Sequence, residues 1–149
     1  MIEISTDPAR LDAALIHDFL SVQSHWAQGI SRPRVERALA HSLCFGAYQA
    51  GGQLGLARVV TDRATFAWLA DVFVLPSHRG RGIGARLMEA VAAHPDLQGL
   101  RRHALVTSTA PALYGRYGYT PLRKPEIWME RLDPDAHLAL LHPAQAPPA

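Results

Sequence analysis

The chain has 149 residues, 48% of them hydrophobic and 19% charged, which is the composition of one ordinary globular domain. A formal net charge of only +2, spread without a basic run, argues against a bulk nucleic-acid or membrane-binding surface. One cysteine allows no intramolecular disulfide and no apolar stretch of about 18 residues suggests a membrane span, so we expect a soluble cytoplasmic protein.

The first forty residues predict one strand and two helices. Residues 2–5 form a short strand, and an Asp-Pro pair then opens a helix that runs to about residue 23, because its apolar residues recur at helical spacing. Residues 24–31 have no periodicity and are expected to form a loop. A second helix follows over about residues 33–41.

The middle of the chain predicts three antiparallel strands. Residues 43–48 and 53–60 are strand-like runs joined by Ala-Gly-Gly, which is typical of a hairpin. Cys44 lies in the first run and is expected to be buried and inert. Residues 66–74 make the longest strand, and because it is apolar on both faces we expect it to lie centrally with helices on each side.

A glycine-rich turn, Arg-Gly-Arg-Gly-Ile-Gly, follows that strand and leads into a helix. Free N–H groups at the helix start, the helix dipole and two arginines favour binding of a phosphate or pyrophosphate. A Walker loop is excluded because no Lys occurs in the stretch, and a dinucleotide fingerprint is excluded because Leu87 stands where the third glycine is needed. An arginine-bearing turn without a ligand is the alternative.

The rest of the chain predicts a helix, a strand, a short helix and a last strand. The first helix has its apolar stripe at Ile83, Leu87, Met88 and Val91 and ends before Pro95. Residues 103–107 form a strand parallel to residues 66–74, a short helix ends at Gly118, and residues 127–132 form the final strand. We expect one domain over residues 1–132 and a proline-rich, partly disordered tail over residues 133–149, with one helical turn around residues 136–141.

Two signatures in this order resemble those of the GNAT superfamily of N-acetyltransferases. The first is Arg79-x-x-Gly82-x-Gly84 after a hydrophobic strand, and the second is Ala-Leu-Tyr-Gly-Arg-Tyr-Gly-Tyr-Thr-Pro over residues 112–121, where Tyr119 replaces the usual Phe. The Asn often found early in the second signature is absent. The resemblance covers residues 42–132 and implies a mixed α/β (α+β) fold, with a mostly antiparallel central sheet, helices on both faces and a V-shaped splay after the central strand.

The resemblance also implies an acyltransferase that moves the acetyl group of acetyl-CoA to a primary amine of a small molecule or peptide by direct attack on the thioester. No nucleic acid, membrane or metal is implied as a partner, and a homodimer is a common arrangement in the family. A catalytically silent module that binds coenzyme A or another protein is the alternative. The implied cofactor-binding residues are Phe73, Val74, Leu75, Arg79, Gly80, Arg81, Gly82, Ile83, Gly84, Ala85 and Tyr114.

Two residues are candidates for proton transfer. Tyr114 occupies the position of the family's catalytic Tyr, where it either protonates the departing thiolate or only packs beside it. Asp71 lies in an apolar strand, on the same face as Leu69 and Phe73 by alternation, and is either a base for the amine or a structural partner of Arg58. Many members of the family use a water chain and no dedicated base.

The acceptor side is predicted from aromatic and polar residues. Trp26, in the loop over residues 24–31, either lines the acceptor pocket or anchors the loop on the core. His78 either touches the cofactor or is a solvated turn residue. The full set of acceptor candidates is Trp26, Arg58, Trp68 and Thr107.

Overall fold

A computed structural model describes residues 1–139. Its sheet has five strands in the order β1-β2-β3-β4-β5, in which β1 to β4 pair antiparallel and β5 is parallel to β4. The strands are β1 (Glu3–Ser5), β2 (Leu43–Gln49), β3 (Gly52–Thr61), β4 (Phe66–Val74) and β5 (Arg102–Ala104). The helices are α1 (Ala13–Asp18), α2 (Arg32–Ala40), α3 (Ile83–Ala93) and α4 (Pro111–Gly115).

Helices cover both faces of the sheet, as predicted. The apolar stripe of α3 is buried on one face with side chains of β2, β3 and β4, and the helices α1 and α2 bury a second cluster on the other face. In the second cluster the rings of Phe19 and Phe73 stack at 4.0 Å, which joins the α1 end to β4. The mixed α/β fold is therefore confirmed, since one sheet separates two hydrophobic cores.

The β2–β3 hairpin forms as the sequence predicts. Ala50 and Gly51 both have positive φ, 51° and 81°, and Gln49 pairs with Gly52 across them. These angles belong to a two-residue turn whose twist matches that of the strands. The hairpin brings the ends of β2 and β3 close to the start of α3, where Arg81 donates to Gln49.

The β4 strand is where the sheet opens. Its pairing with β5 ends at Trp68, opposite Ala104, so no strand of residues 1–139 pairs with the rest of β4 on that side. A bulge lies on the β3 side, because Asp71 and Val72 together oppose the single residue Ala57. The two features together produce the V-shaped splay.

Two predictions about β4 differ from the structure, one because of the bulge and one because of the strand order. The bulge reverses the alternation of side chains, so Leu69 packs with α3 whereas Phe73 packs with α1 and α2. The prediction that Leu69 and Phe73 share a face was wrong. The β4 strand is apolar on both faces, but it lies second from the edge of the sheet, and β3 is the middle strand.

The predicted first helix is broken into three pieces. A 3₁₀ turn spans Pro8–Arg10, α1 follows, and a π-helical turn spans Phe19–Gln23. Asp7 caps the first piece and Asp12 caps the second by accepting from Leu15 N. The second cap restarts the helix, which the apolar spacing alone does not indicate.

The chain after α4 differs most from expectation. The predicted final strand over residues 127–132 is wrong: a 3₁₀ turn spans Pro125–Ile127, and residues 128–132 form no strand. The adjacent edge strand β5 is only three residues long, and the segment contacts it through side chains, with the Arg102 guanidinium 4.9 Å from the centre of the Trp128 ring. A 3₁₀ turn spans Ala136–Leu138, while the remainder of the predicted tail, residues 140–149, lies outside the described residues. No helix in the described part of the chain is long and apolar enough to cross a membrane.

Candidate active site

The glycine-rich turn before α3 presents a row of unused main-chain donors. Gly80 and Gly82 both have φ of 76°, and Gly82 is the residue on which α3 begins. Only residues without a side chain adopt this conformation at little cost, so the glycines set the direction of the amides. Within residues 1–139, no protein acceptor is found for the N–H groups of residues 80–85.

The space above the turn is open. A Cβ atom built on Gly80 or Gly82 would meet nothing within 4 Å, and one on Gly84 would meet only a Val74 methyl group at 4.0 Å. Open space in front of six free donors at the positive end of an eleven-residue helix fits an anionic diphosphate. The residues present therefore fit the diphosphate of coenzyme A.

Two arginines flank the turn and are held in place by their neighbours. Arg79 Nε donates to the Val74 carbonyl at 3.1 Å, and Arg81 Nη2 donates to Gln49 Oε1 at 3.1 Å. A guanidinium has five N–H donors, so each arginine keeps donors for an anion. His78, by contrast, has its Nδ1 2.8 Å from the hydroxyl of its neighbour Ser77, which agrees with the interpretation of His78 as a turn residue.

One residue near the end of β4 offers its backbone to the open side. Leu75 N–H bonds to Leu54 O at 2.8 Å, so the backbone groups of Leu75 point towards β3. Because these groups alternate along a strand, the N–H and C=O of Val74 point the other way. Of the three residues predicted to pair with the cofactor arm, Phe73, Val74 and Leu75, Val74 is the one that presents its backbone there.

Tyr114 lies on α4, which is docked against the start of α3. The Tyr117 hydroxyl, two residues after α4, donates to Ala85 O at 3.2 Å and so ties this segment to the first turn of α3. The Tyr114 ring is half-buried, 6.1 Å from the ring of Tyr119, and its burial raises the pKa of the phenol. Among the described residues the Tyr114 hydroxyl has no hydrogen-bond partner.

Asp71 sits at the bulge and makes two strong contacts. Its Oδ2 accepts from Arg58 Nε at 2.7 Å and its Oδ1 accepts from Trp26 Nε1 at 2.9 Å. It has φ of 52°, a conformation that costs a residue with a side chain about 1–3 kcal/mol and is tolerated best by Asp and Asn. The predicted pairing with Arg58 is present, and the bond to Trp26 is an addition that the sequence does not indicate.

The acceptor candidates divide into two groups. Trp26 and Arg58 both donate to Asp71. Trp68 lies on the face of the sheet that α1 and α2 cover, because its neighbours Ala67 and Leu69 point to the opposite face and pack with α3. Thr107 is elsewhere: its hydroxyl accepts from Ala110 N at 3.0 Å just before α4. Cys44 is buried, and desolvation raises the pKa of its thiol to about 11, as expected for an inert cysteine.

A sequence model described as the acetyltransferase (GNAT) domain matches residues 40–121, which is more than half of the chain. The chain belongs to the GNAT acetyltransferase family. It is therefore an acyltransferase, and its family uses acetyl-CoA as the cosubstrate. Residues 1–139 hold no group of three or more His, Cys, Asp or Glu placed to bind a metal ion.

Relatives of this acetyltransferase agree in sequence and in fold. A Xanthomonas campestris pv. campestris protein assigned to the GNAT family is 53% identical, with 93% of this chain and 98% of that chain covered and a TM-score of 0.91. A Gibberella zeae protein assigned as an acetyltransferase is 33% identical over 76% of this chain and 75% of its own length. A Clostridium acetobutylicum acetyltransferase solved with acetyl-CoA is 16% identical, with 89% and 96% covered and a TM-score of 0.65, which is a likeness of fold alone.

Three residues that shape the candidate site were not singled out from the sequence. Gln49 holds Arg81, Tyr117 holds Ala85, and Gly55 lets β3 approach β4 closely at Phe73 O. Each contact joins residues far apart in the chain. Tyr117 lies inside the second signature, which is the one signal that could have drawn attention to it.

Proposed function

We propose that this acetyltransferase moves the acetyl group of acetyl-CoA to a primary amine of a small molecule or peptide, which attacks the thioester directly. The proposal is supported by the row of amides at residues 80–85, which have no acceptor among residues 1–139, next to the part of β4 that no strand in that range covers. A diphosphate and an amide-bearing arm need these two surfaces side by side.

The residues that would hold the cofactor are those with free donors. The amides of residues 80–85 and the remaining donors of Arg79 and Arg81 bind the diphosphate, and Val74 offers its N–H to the arm, because its carbonyl already accepts from Arg79 Nε. When bound, acetyl-CoA supplies the acetyl group, which passes to the amine nitrogen as the carbon–sulfur bond breaks. The Val74 N–H is the candidate donor to the thioester oxygen, where it would stabilise developing negative charge.

Tyr114 is the proposed proton donor. Burial raises its pKa above an ordinary value of about 10, so the phenol carries a proton at neutral pH that it can donate to the departing sulfur. Because a free thiol has a pKa of about 8.5, this transfer is slightly uphill, and it is completed as the carbon–sulfur bond breaks and the product leaves. Its hydroxyl, with no partner among the described residues, is not committed to another acceptor. Solvent returns the proton after release.

The amine must lose a proton, and Asp71 is poorly suited to accept it. Both carboxylate oxygens already accept from charged or N–H donors, Arg58 on one and Trp26 on the other. The side chains of Asp71 and Arg58 are only 11% and 18% exposed, so the pair is held away from solvent. We therefore propose that water accepts the proton of the amine and that Asp71 has a different role.

A screen of primary amines with acetyl-CoA, following thiol release, tests the proposal. We expect at least one amine class to be acetylated, and we expect Tyr114→Phe to lower kcat on the order of 100-fold or more while the Kd for coenzyme A changes little. Tyr119→Phe is the matched control, because it removes the hydroxyl of the adjacent ring, and it should keep turnover. Binding of coenzyme A without turnover of any amine class would replace the proposal with the silent binding module.

A further inference from the structure

Asp71 is an unusual residue to find inside a strand, and its position gives it control of the bulge. It has φ of 52° while its neighbour Val72 shares the opposite position, Ala57, with it. A strand residue with left-handed backbone ends regular pairing and turns the next side chains to the other face. The open part of β4 therefore begins at Asp71.

The Asp71 carboxylate also joins three elements to β4. Arg58 on β3 donates to it, and the same guanidinium donates through Nη1 to Ser42 Oγ at 3.1 Å, which in turn donates to Ala38 O of α2 at 2.7 Å. The last donor is the Trp26 indole, which comes from the loop over residues 24–31. A partly buried ion pair thus fixes one side chain of a surface loop.

Trp26 itself is not a core residue. It is 41% exposed, and its ring centre lies 6.4 Å from that of Phe19. The His25 ring packs edge-on against it, with 5.0 Å between the two ring centres. An indole has one donor, and here that donor is spent on Asp71, so the orientation of the ring follows the position of the carboxylate. What remains exposed is a flat apolar surface beside the open part of β4.

We propose that Asp71 is a positioning residue for the acceptor side of the site: it holds the Trp26 indole as the wall against which the acceptor amine packs. The proposal rests on the acetyl transfer proposed above. The acceptor class it fits is an amine carried on an apolar or aromatic body, because such a body covers the exposed indole surface and a nearby ammonium is attracted to the ring face.

Three variants test the role by kinetics with the best amine from the screen. Trp26→Phe keeps a ring but removes the N–H, and Asp71→Ala removes the acceptor. Each should raise the KM for the amine about tenfold, and Trp26→Phe, which does not touch the bulge, should leave the Kd for coenzyme A unchanged. Asp71→Asn tolerates the left-handed backbone but keeps one acceptor oxygen for the two donors, Arg58 and Trp26, so it should recover only part of the loss. The double variant Asp71→Ala with Trp26→Phe should be no worse than either single change, because both remove the same contact.

A control and a second profile separate positioning from base catalysis. Arg32→Ala breaks an exposed ion pair with Glu36 on α2 and should leave all constants unchanged. Positioning predicts the same pH dependence of kcat in wild type and Asp71→Asn. If Asp71→Asn instead loses kcat as severely as Asp71→Ala, together with the low-pH limb of the profile, Asp71 is a base and the proposal is overturned. A Trp26→Phe variant with wild-type KM for the amine also overturns it.

An observable independent of turnover decides the case if no amine is acetylated. The chain has three tryptophans, so its ¹H–¹⁵N spectrum should contain three indole signals, and Trp26→Phe assigns one of them. In Asp71→Ala the Trp26 indole signal should move and exchange its proton faster with water. A signal that stays in place would overturn the positioning role, whereas failure of the amine screen alone would overturn only the proposed acetyl transfer.

Discussion

Asp62 closes the turn between β3 and β4 by accepting four hydrogen bonds. Its Oδ1 accepts from the N–H groups of Ala64, Thr65 and Phe66 at 2.9, 2.7 and 3.2 Å, and its Oδ2 accepts from Thr65 Oγ1 at 2.6 Å. Hydrogen bonds to the ionised form, first of all those from Thr65, hold the pKa of this carboxyl well below its usual range. The turn is therefore a pH-dependent contribution to stability.

The predicted consequence concerns Asp62→Ala. A lowered pKa in the folded state stabilises the protein above the unfolded value of about 4, and this contribution is lost as pH falls towards the folded pKa. Wild type should melt at a higher temperature than Asp62→Ala at pH 7, and the difference should shrink at pH 3. Thermal unfolding at the two pH values measures it, and an equal difference at both would show that the carboxylate charge contributes nothing.

Tyr114 gives a second pH prediction, this time for activity. Because burial raises its pKa, the phenol loses its proton only above about pH 10, so the donor remains protonated below that pH. The kcat of the amine reaction should not fall between pH 7 and pH 9.5. A fall near pH 8 that is absent from Tyr114→Phe would mean that the phenol titrates much lower than its burial requires.

The two hydrogen-bond partners of Asp71 differ in how well they can be predicted from the sequence. The pairing of Asp71 with Arg58 could be predicted because both lie on adjacent strands of one hairpin. The bond from Trp26 could not, since it crosses 45 residues and comes from a loop without periodicity. Side chains in loops have no repeating pattern that fixes their direction.

At the scale of elements, the approach of β3 to β4 depends on Gly55. A Cβ atom at this position would lie 2.7 Å from Phe73 O, a main-chain atom, and 3.4 Å from a Leu87 methyl group. Phe73 precedes Val74, the residue whose backbone faces the proposed cofactor arm. A side chain at position 55 would therefore disturb both the sheet and the site.

We predict that Gly55→Ala lowers Tm and weakens binding of coenzyme A together. Overpacking typically costs about 1–3 kcal/mol, which for a chain of this size is about 3–10 °C in Tm. Gly52→Ala is the matched control, because its Cβ would lie 3.6 Å from Gln49 O, an ordinary contact. Calorimetric melting and titration with coenzyme A measure both effects, and a Gly55→Ala protein indistinguishable from Gly52→Ala would contradict this account of the sheet.

The elements themselves were largely predictable where one pattern dominates. The spacing of Ile83, Leu87, Met88 and Val91 predicts α3, and all four are buried. The bulge lies at Asp71, where a single left-handed residue reverses the faces that strict alternation assigns. The prediction of a last strand over residues 127–132 was wrong because it used composition alone. These residues have strand-like composition, but a strand also needs another strand to pair with, which composition does not reveal.

At the scale of the whole molecule, two cores share one sheet and the proposed cofactor site lies at its open end. Binding of a ligand to the folded state alone stabilises it by about 2.7 kcal/mol when the ligand is at 100 times its Kd. Coenzyme A at that ratio should raise Tm by about 5–10 °C. Pantetheine, which lacks the diphosphate, should raise Tm much less at the same concentration, and an equal rise with both would contradict the diphosphate site.

Amide NMR tests most directly whether the main-chain amides of residues 80–85 bind the diphosphate of coenzyme A. In a ¹H–¹⁵N titration, the signals of Gly80, Gly82 and Gly84 should shift strongly with coenzyme A and stay nearly still with pantetheine, because only the first ligand carries the anion that those donors lack. If coenzyme A binds while these three signals remain in place, the glycine turn is not the cofactor site.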